Sequence, residues 1–159
     1  TTEIYTLSLH DALPIYYKDK EATALAFEDG WFWSGDAAVQ QDDGYLQIKD
    51  RLKDVIISGG ENISSVEVEA VLHRHPAVGV ASVVARYDAK WGEVPCAFVE
   101  LRTGQTLTED ALIRFCRDHL AGFKVPKSVI FEPIPKTATG KIQKFQLRAR
   151  VKQIFTPNV

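Results

Sequence analysis

Three runs of β-favouring residues in the second half of the chain predict three strands. The runs cover residues 78–85, 94–101 and 128–131, and a polar turn around Asp88 separates the first two. Valine and other small or β-branched apolar residues dominate the two longer runs, as is typical of buried strands. We therefore expect these strands to form a short central sheet.

Helical patterns surround these strands. Ser64 followed by Glu67 is a capping box, and it predicts a helix through about residue 73. Thr106 and Glu109 form a second capping box ahead of another predicted helix, and residues 142–154 predict a final basic amphipathic helix. The apolar residues of the middle helix recur at helical spacing: Leu112, Phe115, Cys116 and Leu120.

The first part of the chain adds shorter elements. Residues 18–27 predict a short helix that Asp19 caps, and residues 31–36 predict a compact turn of aromatic residues and glycine. Gly44 begins a predicted hairpin whose strands are residues 45–50 and 53–58. Because strands and helices intermix with short connections, the fold class is predicted as α+β, a small C-terminal domain whose short central β-sheet is flanked by helices and preceded by a β-hairpin hinge region.

The composition excludes several classes of protein. Of the 159 residues, 45% are hydrophobic and 25% are charged, which is typical of a globular domain. A net charge of −2 gives no electrostatic case for nucleic acid or an anionic membrane as the main partner. No apolar run reaches the ~18–20 residues that a membrane span needs. Cys96 and Cys116 lie in apolar segments without metal-ligand spacing, so we expect buried thiols, no metal site and a reducing, cytoplasmic location.

The first fifteen residues, TTEIYTLSLHDALPI, differ in character from the rest of the chain. They have mixed polarity, no sustained periodicity and neither the charged start nor the unbroken apolar core of a signal peptide. The segment resembles translated sequencing-adapter sequence, and we expect residues 1–15 to be an artefact or a non-native leader. A genuine loop with a short strand is the alternative. If the segment is an artefact, we expect the chain to be a fragment of a longer protein.

Two segments of the first part of the chain carry charges that could contact a ligand. In residues 30–36 (GWFWSGD), a tight apolar turn holds the carboxylate of Asp36, which could accept hydrogen bonds from two adjacent hydroxyls or from its own backbone. In residues 50–54 (DRLKD), Arg51 could reach a hydroxyl or a phosphate, and Lys53 could act as a pivot. A solvated turn with a local ion pair is the alternative for this second segment.

Two glycine-containing segments are also unusual. In residues 58–62 (SGGEN), Gly59 and Gly60 permit positive φ, which suits either a ligand tunnel or a plain turn. Residues 135–141 (PKTATGK) form a predicted mobile loop that ends in Lys141. This loop is not a P-loop, because residues 135 and 142 are Pro and Ile where that motif needs Gly and Ser or Thr. Lys141 could still donate to a carboxylate or a phosphate, or be merely solvated.

The order and spacing of these segments resemble the adenylate-forming superfamily. The similar segments cover residues 16 to about 150 and read GWFWSGD, DRLKDVIISGGENISSVEVE, HPAVGVASVVA, WGEVPCAFVE, FKVPK and PKTATGKIQK. The resemblance is closest to acyl-CoA synthetases, which activate fatty or related carboxylic acids. In that family, ATP and the acid form an acyl-adenylate and pyrophosphate, a small C-terminal domain rotates, and coenzyme A displaces AMP.

The resemblance implies a domain organisation and a set of cofactors. Residues 16–51 would be the tail of a large N-terminal domain, and residues 52–159 would be the C-terminal AMP-binding-enzyme domain. The implied ligands are a carboxylic acid, ATP or AMP, coenzyme A, and Mg²⁺ that arrives with ATP through the missing N-terminal domain. That domain would also be the main partner of this chain.

The resemblance also implies roles for individual residues. Asp36 and Arg51 match the pair that holds the ribose of the nucleotide, and Lys53 lies at the hinge position between domains. Lys141 matches the catalytic lysine of adenylation, whose ammonium bridges the substrate carboxylate and the α-phosphate. Gly59 matches part of the loop past which the pantetheine arm of coenzyme A moves.

Further residues are implied for the coenzyme A side. Gly60 belongs to the same loop as its neighbouring glycine. Trp91, Phe123 and Lys127 align with positions that can meet the coenzyme A nucleotide, through an aromatic face for adenine and a cation for phosphate. For Trp91 and Phe123, an ordinary role in the core is the alternative.

The chain also departs from the family pattern. Trp33 and Ser34 stand where members commonly have His-Thr, and the phosphate loop, adenine pocket and acyl tunnel belong to the upstream domain. We therefore expect the chain to be inactive by itself. Two other hypotheses are an adenylation enzyme with a non-CoA acceptor, as in peptide-synthetase adenylation domains or luciferases, and a non-catalytic nucleotide- or protein-binding module.

Overall fold

Nine strands and four α-helices make up the described part of the chain, which is residues 19–28 and 31–155 of a computed structural model. The strands are β1 (Phe27–Glu28), β2 (Trp31–Phe32), β3 (Asp36–Gln40), β4 (Leu46–Arg51), β5 (Ile56–Ser58), β6 (Glu61–Ile63), β7 (Val78–Asp88), β8 (Gly92–Leu101) and β9 (Ser128–Phe131). The helices are α1 (Lys20–Ala26), α2 (Ser65–Leu72), α3 (Glu109–Arg117) and α4 (Lys144–Phe155). The chain divides into two compact units after Lys53.

The first unit contains α1 and two small antiparallel sheets. Asp19 caps α1, because its carboxylate accepts the backbone N–H of Ala22 at 2.9 Å. β1 pairs with β2, and β3 pairs with β4. In the second of these sheets Ala37 and Ala38 are buried, whereas most of β4 is exposed. β3 is therefore the more buried of the two strands in this sheet.

The second unit is built around β8, which is the central strand of a five-stranded sheet. β7 pairs antiparallel with one edge of β8, from Val78 opposite Leu101 to Asp88 opposite Gly92. Two strands pair with β8 in addition: β5 joins antiparallel at Gly92, and β9 joins parallel along residues 96–99. β6 pairs with β5 at the outer edge of the sheet. The loops at the Gly92 end of β8 are thus brought close to β5.

Alternating side chains of β7 and β8 enter two apolar layers on opposite faces of the sheet. Val83 and Ala97 belong to the layer that α2 and α3 cover, and its helical residues are Val68, Val71, Leu72, Leu112 and Cys116. Val84 and Phe98 belong to the other layer, which α4 covers with Leu147 and Val151. The helices on both faces of the mixed sheet confirm the predicted fold class.

Most local predictions for this unit are confirmed. The strands predicted over residues 78–85 and 94–101 exist and extend into the turn, and the one over 128–131 agrees with β9. Ser64 caps α2, since its hydroxyl accepts the N–H of Glu67 at 3.3 Å. The final helix begins two residues later than predicted. Predictions for residues 1–15, for Lys18 and for Gly30 lie outside the described residues.

Two local predictions are wrong. Residues 45–50 and 53–58 do not form one hairpin, because β4 pairs with β3 while residues 56–58 pair with β6 and β8. The N-cap of α3 is Thr108 rather than Thr106, and its hydroxyl accepts the N–H of Ala111 at 3.3 Å. Glu109, expected in the capping box, instead accepts the backbone N–H of Val129 in β9 at 2.8 Å.

Among the described residues, no helix is long and apolar enough to cross a membrane.

Candidate functional site

Asp36 and Arg51 lie opposite each other in the β3–β4 sheet. The register pairs them directly, and Nε of Arg51 lies 3.5 Å from Oδ1 of Asp36. The Asp36 side chain is 27% exposed and that of Arg51 is 52% exposed, so both polar heads remain accessible. A carboxylate held beside a guanidinium offers acceptors and donors to a vicinal diol. The sheet therefore brings together the two residues predicted to contact a ribose.

The turn before Asp36 keeps a hydroxyl in place. Ser34 lies where the resemblance leads one to expect a threonine, and its Oγ accepts the backbone N–H of Asp36 at 3.2 Å. Gly35, between them, has φ +72°, and its carbonyl accepts the N–H of Leu52 at 2.8 Å. Trp33 is half exposed, and its backbone N–H donates to the carbonyl of Ala26. The hydroxyl-to-backbone bond fixes the start of β3, and with it the position of the carboxylate.

Lys53 lies in the 3₁₀ turn Leu52–Asp54, which follows β4. Lys53 is exposed, and it is the last residue of the first unit. The next residue, Asp54, belongs to the second unit, and its Oδ1 lies 2.6 Å from Nη1 of Arg148 in α4. Lys53 is thus placed where the chain passes from one compact unit to the other.

Gly59, Gly60 and Trp91 come together at one end of the second unit's sheet. Gly59 and Gly60 form the two-residue turn between β5 and β6, with φ of +59° and +89°. The N–H of Gly59 donates to the carbonyl of Trp91 at 2.8 Å. A Cβ on Gly59 would lie 2.8 Å from Cε3 of Trp91, so the indole ring lies directly against this glycine. The two glycines form a hairpin turn, and the indole ring of Trp91 lies against this turn.

The turn that carries Trp91 is held by Asp88. Its Oδ1 accepts the backbone N–H of Trp91 at 3.1 Å and that of Lys90 at 3.0 Å. These two hydrogen bonds hold the pKa of Asp88 below its ordinary value, chiefly through the bond from Trp91. Nζ of Lys90 lies 4.5 Å from the centroid of the Trp91 ring, which is 45% exposed as a residue. The result is an accessible indole with a cation beside it.

Phe123 and Lys127 lie in the segment that leads into β9. Phe123 is 39% exposed and belongs to a turn in which Lys124 N–H donates to the carbonyl of Ala121. The backbone N–H of Lys127 donates to the carbonyl of Pro95 at 2.9 Å, so this residue lies beside β8. The partial exposure of Phe123 differs from that of a core residue.

Lys141 lies at the end of a small loop that is closed by its own hydrogen bonds. We define the Lys141 loop as residues 136–142, whose ends form an isolated antiparallel bridge between Lys136 and Ile142. Thr137 N–H donates to the Lys141 carbonyl at 2.8 Å, and Lys141 N–H donates to Oγ1 of Thr137 at 3.1 Å. Gly140 supplies the turn with φ +83°. The side chain of Lys141 is exposed on a loop of defined backbone geometry.

Comparisons with known proteins show which family this chain is similar to. Residues 67–141 match the family model of the AMP-binding enzyme C-terminal domain. The chain is 57% identical over 145 residues to acetate–CoA ligase CCL3 of Humulus lupulus. The alignment covers 87% of this chain and 25% of that protein. It is 56% identical over 144 residues to the peroxisomal acetate/butyrate–CoA ligase AAE7 of Arabidopsis thaliana, again with 87% and 25% covered.

The chain belongs to the adenylate-forming superfamily. Among solved structures of this superfamily, ATP-bound MatB from Rhodopseudomonas palustris superposes with a TM-score of 0.77 at 35% identity, covering 86% of this chain and 27% of that chain. The chain spans about a quarter of the length of the curated relatives it matches. Fold and family therefore agree with the order and spacing of the sequence segments.

Two acidic residues in this superfamily member were missed by the sequence analysis. Glu100 of β8 holds Lys136, whose Nζ lies 2.9 Å from Oε2, and Glu69 of α2 holds Lys144, whose Nζ lies 2.9 Å from Oε1. The hydrogen bonds from Lys136 and from the N–H of Ile134 hold the pKa of Glu100 below its ordinary value. The sequence did offer a signal, because Glu100 lies inside an apolar strand and Glu69 on the apolar face of a helix. This signal does not show which lysine pairs with each carboxylate.

Both cysteines lie in the core. Cys96 is buried in the layer under α4, and Cys116 is buried in the layer on the other face of the sheet. Burial raises the pKa of Cys116 to about 11 and also raises that of Cys96. The prediction of buried thiols is confirmed. No group of three or more His, Cys, Asp or Glu side chains in the described ranges could hold a metal ion.

Proposed function

We propose that this chain is the C-terminal part of an ATP-dependent acyl-CoA ligase. The observation that carries the proposal is the exposed Lys141 on a loop of defined geometry, within a fold of the adenylate-forming superfamily. The whole protein would convert a carboxylic acid, ATP and coenzyme A into acyl-CoA, AMP and pyrophosphate. Residues 16–51 would be the tail of the large domain, and residues 52–159 would be the mobile small domain.

The first half-reaction uses Lys141. A carboxylate oxygen of the acid attacks the α-phosphorus of ATP, and the bond to the pyrophosphate oxygen breaks. Negative charge develops on the oxygens around the α-phosphorus as pyrophosphate leaves, and the ammonium of Lys141 stabilises that charge. Asp36 accepts hydrogen bonds from the two ribose hydroxyls, while Arg51 holds the Asp36 carboxylate in place.

The second half-reaction uses the other end of the small domain, after a rotation about Lys53. The thiolate sulfur of coenzyme A attacks the acyl carbonyl carbon, and the bond to the AMP phosphate oxygen breaks. Gly59 and Gly60 let the pantetheine arm approach the backbone, because neither presents a side chain. Trp91, Phe123 and Lys127 meet the coenzyme A nucleotide, with stacking on adenine and a cation for phosphate.

Other parts of the proposal depend on the rest of the protein. Mg²⁺ would arrive with the ATP phosphates; the described residues offer it no metal site, so we assign no step to it. Acetate and butyrate, named for the Arabidopsis relative, are the first acids to test. A cytoplasmic location stays a prediction beside a relative that is named peroxisomal.

The test separates the two half-reactions in the complete protein. Lys141→Ala is expected to slow acyl-adenylate formation, followed as ATP–pyrophosphate exchange, by roughly 10²–10³, the scale of losing one preorganised charge-stabilising donor. Thioester formation from a supplied acyl-adenylate should change much less. Lys152→Ala, which alters an exposed lysine of α4, is the matched control and should leave both rates unchanged.

Three outcomes would contradict the proposal. An equal loss in both half-reactions would show that Lys141 has no special role in adenylation. Acyl-adenylate formation without any transfer to coenzyme A, but with transfer to another nucleophile, would favour an adenylation enzyme with a non-CoA acceptor. Binding of nucleotide without either half-reaction would favour the non-catalytic module.

A further inference from the structure

Hydrogen bonds within the Lys141 loop fix its internal backbone shape. They do not fix how the loop is oriented on the rest of the second unit. In addition to the bonds of Thr137 with Lys141, Gly140 N–H donates to the Thr137 carbonyl at 2.9 Å. The hydroxyls of Thr137 and Thr139 lie 2.9 Å apart. All of these bonds join residues of the loop to one another. The direction in which the loop presents Lys141 must therefore depend on what holds its two ends.

The incoming end is held by β8. Nζ of Lys136 donates to both carboxylate oxygens of Glu100, at 3.0 and 2.9 Å. The same carboxylate accepts the backbone N–H of Ile134 at 2.6 Å, and Ile134 is buried. One side chain of the central strand thus holds the first residue of the loop, Lys136, and a residue that precedes the loop, Ile134.

The outgoing end, which is the C-terminal end of the loop, is held by a more buried ion pair. Lys144 is the first residue of α4, three positions after Lys141, and its Nζ lies 2.9 Å from Oε1 of Glu69 and 2.7 Å from Oγ of Ser65. Both charged side chains are only 18% exposed. Glu69 Oε1 also accepts the backbone N–H of Val83 in β7 at 2.7 Å. This contact ties the start of α4 to a helix and to the sheet at one point.

The arrangement gives Lys144 a role that differs from that of Lys141. Its ammonium already donates to two partners within the fold, so it is held inside the second unit rather than offered to a ligand. Partly buried ion pairs that also bind backbone groups keep their geometry better than exposed ones do. Only Ile142 and Gln143 separate Lys144 from Lys141 along the chain, so a shift of the α4 start would reach Lys141 over two residues.

We propose that Lys144, held by Glu69 and Ser65, is a positioning residue that sets the direction of the Lys141 ammonium for adenylation. This inference rests on the proposed role of Lys141. Lys144 does not touch substrate in this proposal. It acts by fixing the outgoing end of the Lys141 loop, while the pair of Lys136 with Glu100 fixes the incoming end.

The experiment compares Lys144→Met with Lys144→Arg and Arg150→Gln in the complete protein. Arg150 is the matched control, because it also lies on α4 and pairs with Glu132, but at 3.5 Å and with half of its side chain exposed. Lys144→Met should lower kcat for adenylation roughly tenfold with KM for ATP unchanged, since a misplaced group loses transition-state stabilisation. Lys144→Arg should recover most of the rate, and Arg150→Gln should keep all of it.

Two further readouts separate positioning from a general loss of stability. In a Lys141→Ala background, Lys144→Met should cause no additional loss of adenylation, because both changes act through the same ammonium. Hydrogen exchange at the N–H groups of Thr137 and Lys141 should quicken in Lys144→Met and stay unchanged in Arg150→Gln. Should Lys144→Met fail to fold, Glu69→Gln makes the same comparison, since its amide oxygen still accepts the Val83 N–H.

The outcomes distinguish this inference from the proposed function. If Lys141→Ala leaves adenylation intact, the proposed function fails whatever Lys144 does. If Lys141→Ala slows adenylation while Lys144→Met keeps the rate within twofold, the positioning role is overturned and the proposed function stands. An equal further loss from Lys144→Met in the Lys141→Ala background would also overturn it, because Lys144 would then act independently.

Discussion

The indole ring of Trp91 lies against Gly59, close enough that a Cβ on this glycine would meet Cε3 of the ring at 2.8 Å. The backbone N–H of Gly59 also donates to the Trp91 carbonyl at 2.8 Å. Two segments that are 32 positions apart thus form one surface at the end of the sheet. In the proposed ligase, the flexible part of coenzyme A would pass the glycine while its nucleotide meets the indole.

This contact predicts a difference between two alanine substitutions. Gly59→Ala and Gly60→Ala should each cost about 1–2 kcal/mol of unfolding free energy, because both glycines have positive φ. Gly59→Ala should cost more, since only its Cβ meets the Trp91 ring, whereas Gly60 has open space around it. In a Trp91→Ala background, the extra cost should disappear. Urea unfolding of the four variants measures the coupling, and equal costs for Gly59→Ala in both backgrounds would contradict it.

The pairing of Asp36 with Arg51 predicts an effect on nucleotide binding. In the complete protein, Arg51→Gln should raise KM for ATP roughly tenfold, because the Asp36 carboxylate loses the guanidinium that orients it. The thermal midpoint should change little, since about half of the Arg51 side chain is exposed to solvent. Lys49→Gln, on the same strand, is the control and should leave KM unchanged. Initial-rate kinetics at varied ATP give the answer, and equal KM values for the two variants would exclude the proposed role of Arg51 in orienting Asp36.

The amount of the fold that could be predicted depends on how local each signal is. The Ser64 cap of α2 and the strands β7, β8 and β9 of the central sheet were predictable, because capping and β-rich runs are decided within a few residues. The partner of β4 was not, since the strand that pairs with it contains two small alanines, Ala37 and Ala38, rather than a β-rich run. Strand pairing depends on the whole sheet and not on one segment.

The α3 cap shows a second limit. The spacing of Thr106 and Glu109 fits a capping box, but the carboxylate of Glu109 is used by the backbone of Val129 in another strand. Thr108 caps the helix instead. A tertiary hydrogen bond thus decided a local feature.

The candidate site shows the same division. Lys141 was identifiable from its segment, whereas its supports Glu69 and Glu100 are 72 and 41 positions away in the sequence. Only the arrangement of α2 and β8 beside the Lys141 loop brings these carboxylates to Lys144 and Lys136. The resemblance of the segment therefore pointed to Lys141 as the candidate for the chemistry, but not to the side chains that hold its loop.

The lowered pKa of Glu100 predicts a pH-dependent contribution to stability. Its folded pKa lies below the ordinary value of 4.5, so the stabilisation is present above that value and is lost as pH falls through the lowered folded pKa. Wild type should therefore exceed Glu100→Gln by about 1 kcal/mol of unfolding free energy at pH 7. The difference should vanish in acid. Glu132→Gln is the control with a weaker ion pair, and a gap for Glu100→Gln that does not narrow as the pH falls below 4.5 would contradict the prediction.

The buried thiols predict slow chemical modification and a loss of stability at high pH. The folded pKa of Cys116 is about 11 against an ordinary 9.0, so its stabilising effect is present below pH 9 and is lost as pH rises toward 11. Cys116→Ala should flatten this fall in unfolding free energy. A thiol reagent at pH 8 should label the native chain only as fast as it opens, and the denatured chain at once. Rapid labelling of both cysteines in native buffer would show that they are not buried.

Two arginines of α4 differ in the ion pairs they form, which gives a last prediction about the residue after Lys53. Nη1 of Arg148 lies 2.6 Å from Asp54, whose side chain is only 11% exposed, whereas Arg150 lies 3.5 Å from Glu132 with half of its own side chain exposed. Arg148→Met should therefore cost about 1–3 kcal/mol of unfolding free energy, because it leaves a largely buried carboxylate without its partner.

Arg150→Gln should stay within about 0.5 kcal/mol of wild type, as exposed pairs contribute little. Asp54→Asn combined with Arg148→Met should recover part of the loss, since no buried charge then remains. Urea unfolding provides the free energies, and hydrogen exchange at Ile56 reports whether the start of the second unit loosens with Arg148→Met. Equal losses for the two arginine variants would mean that Asp54 is not held by α4, and the residues next to Lys53 would then have no fixed anchor on that helix.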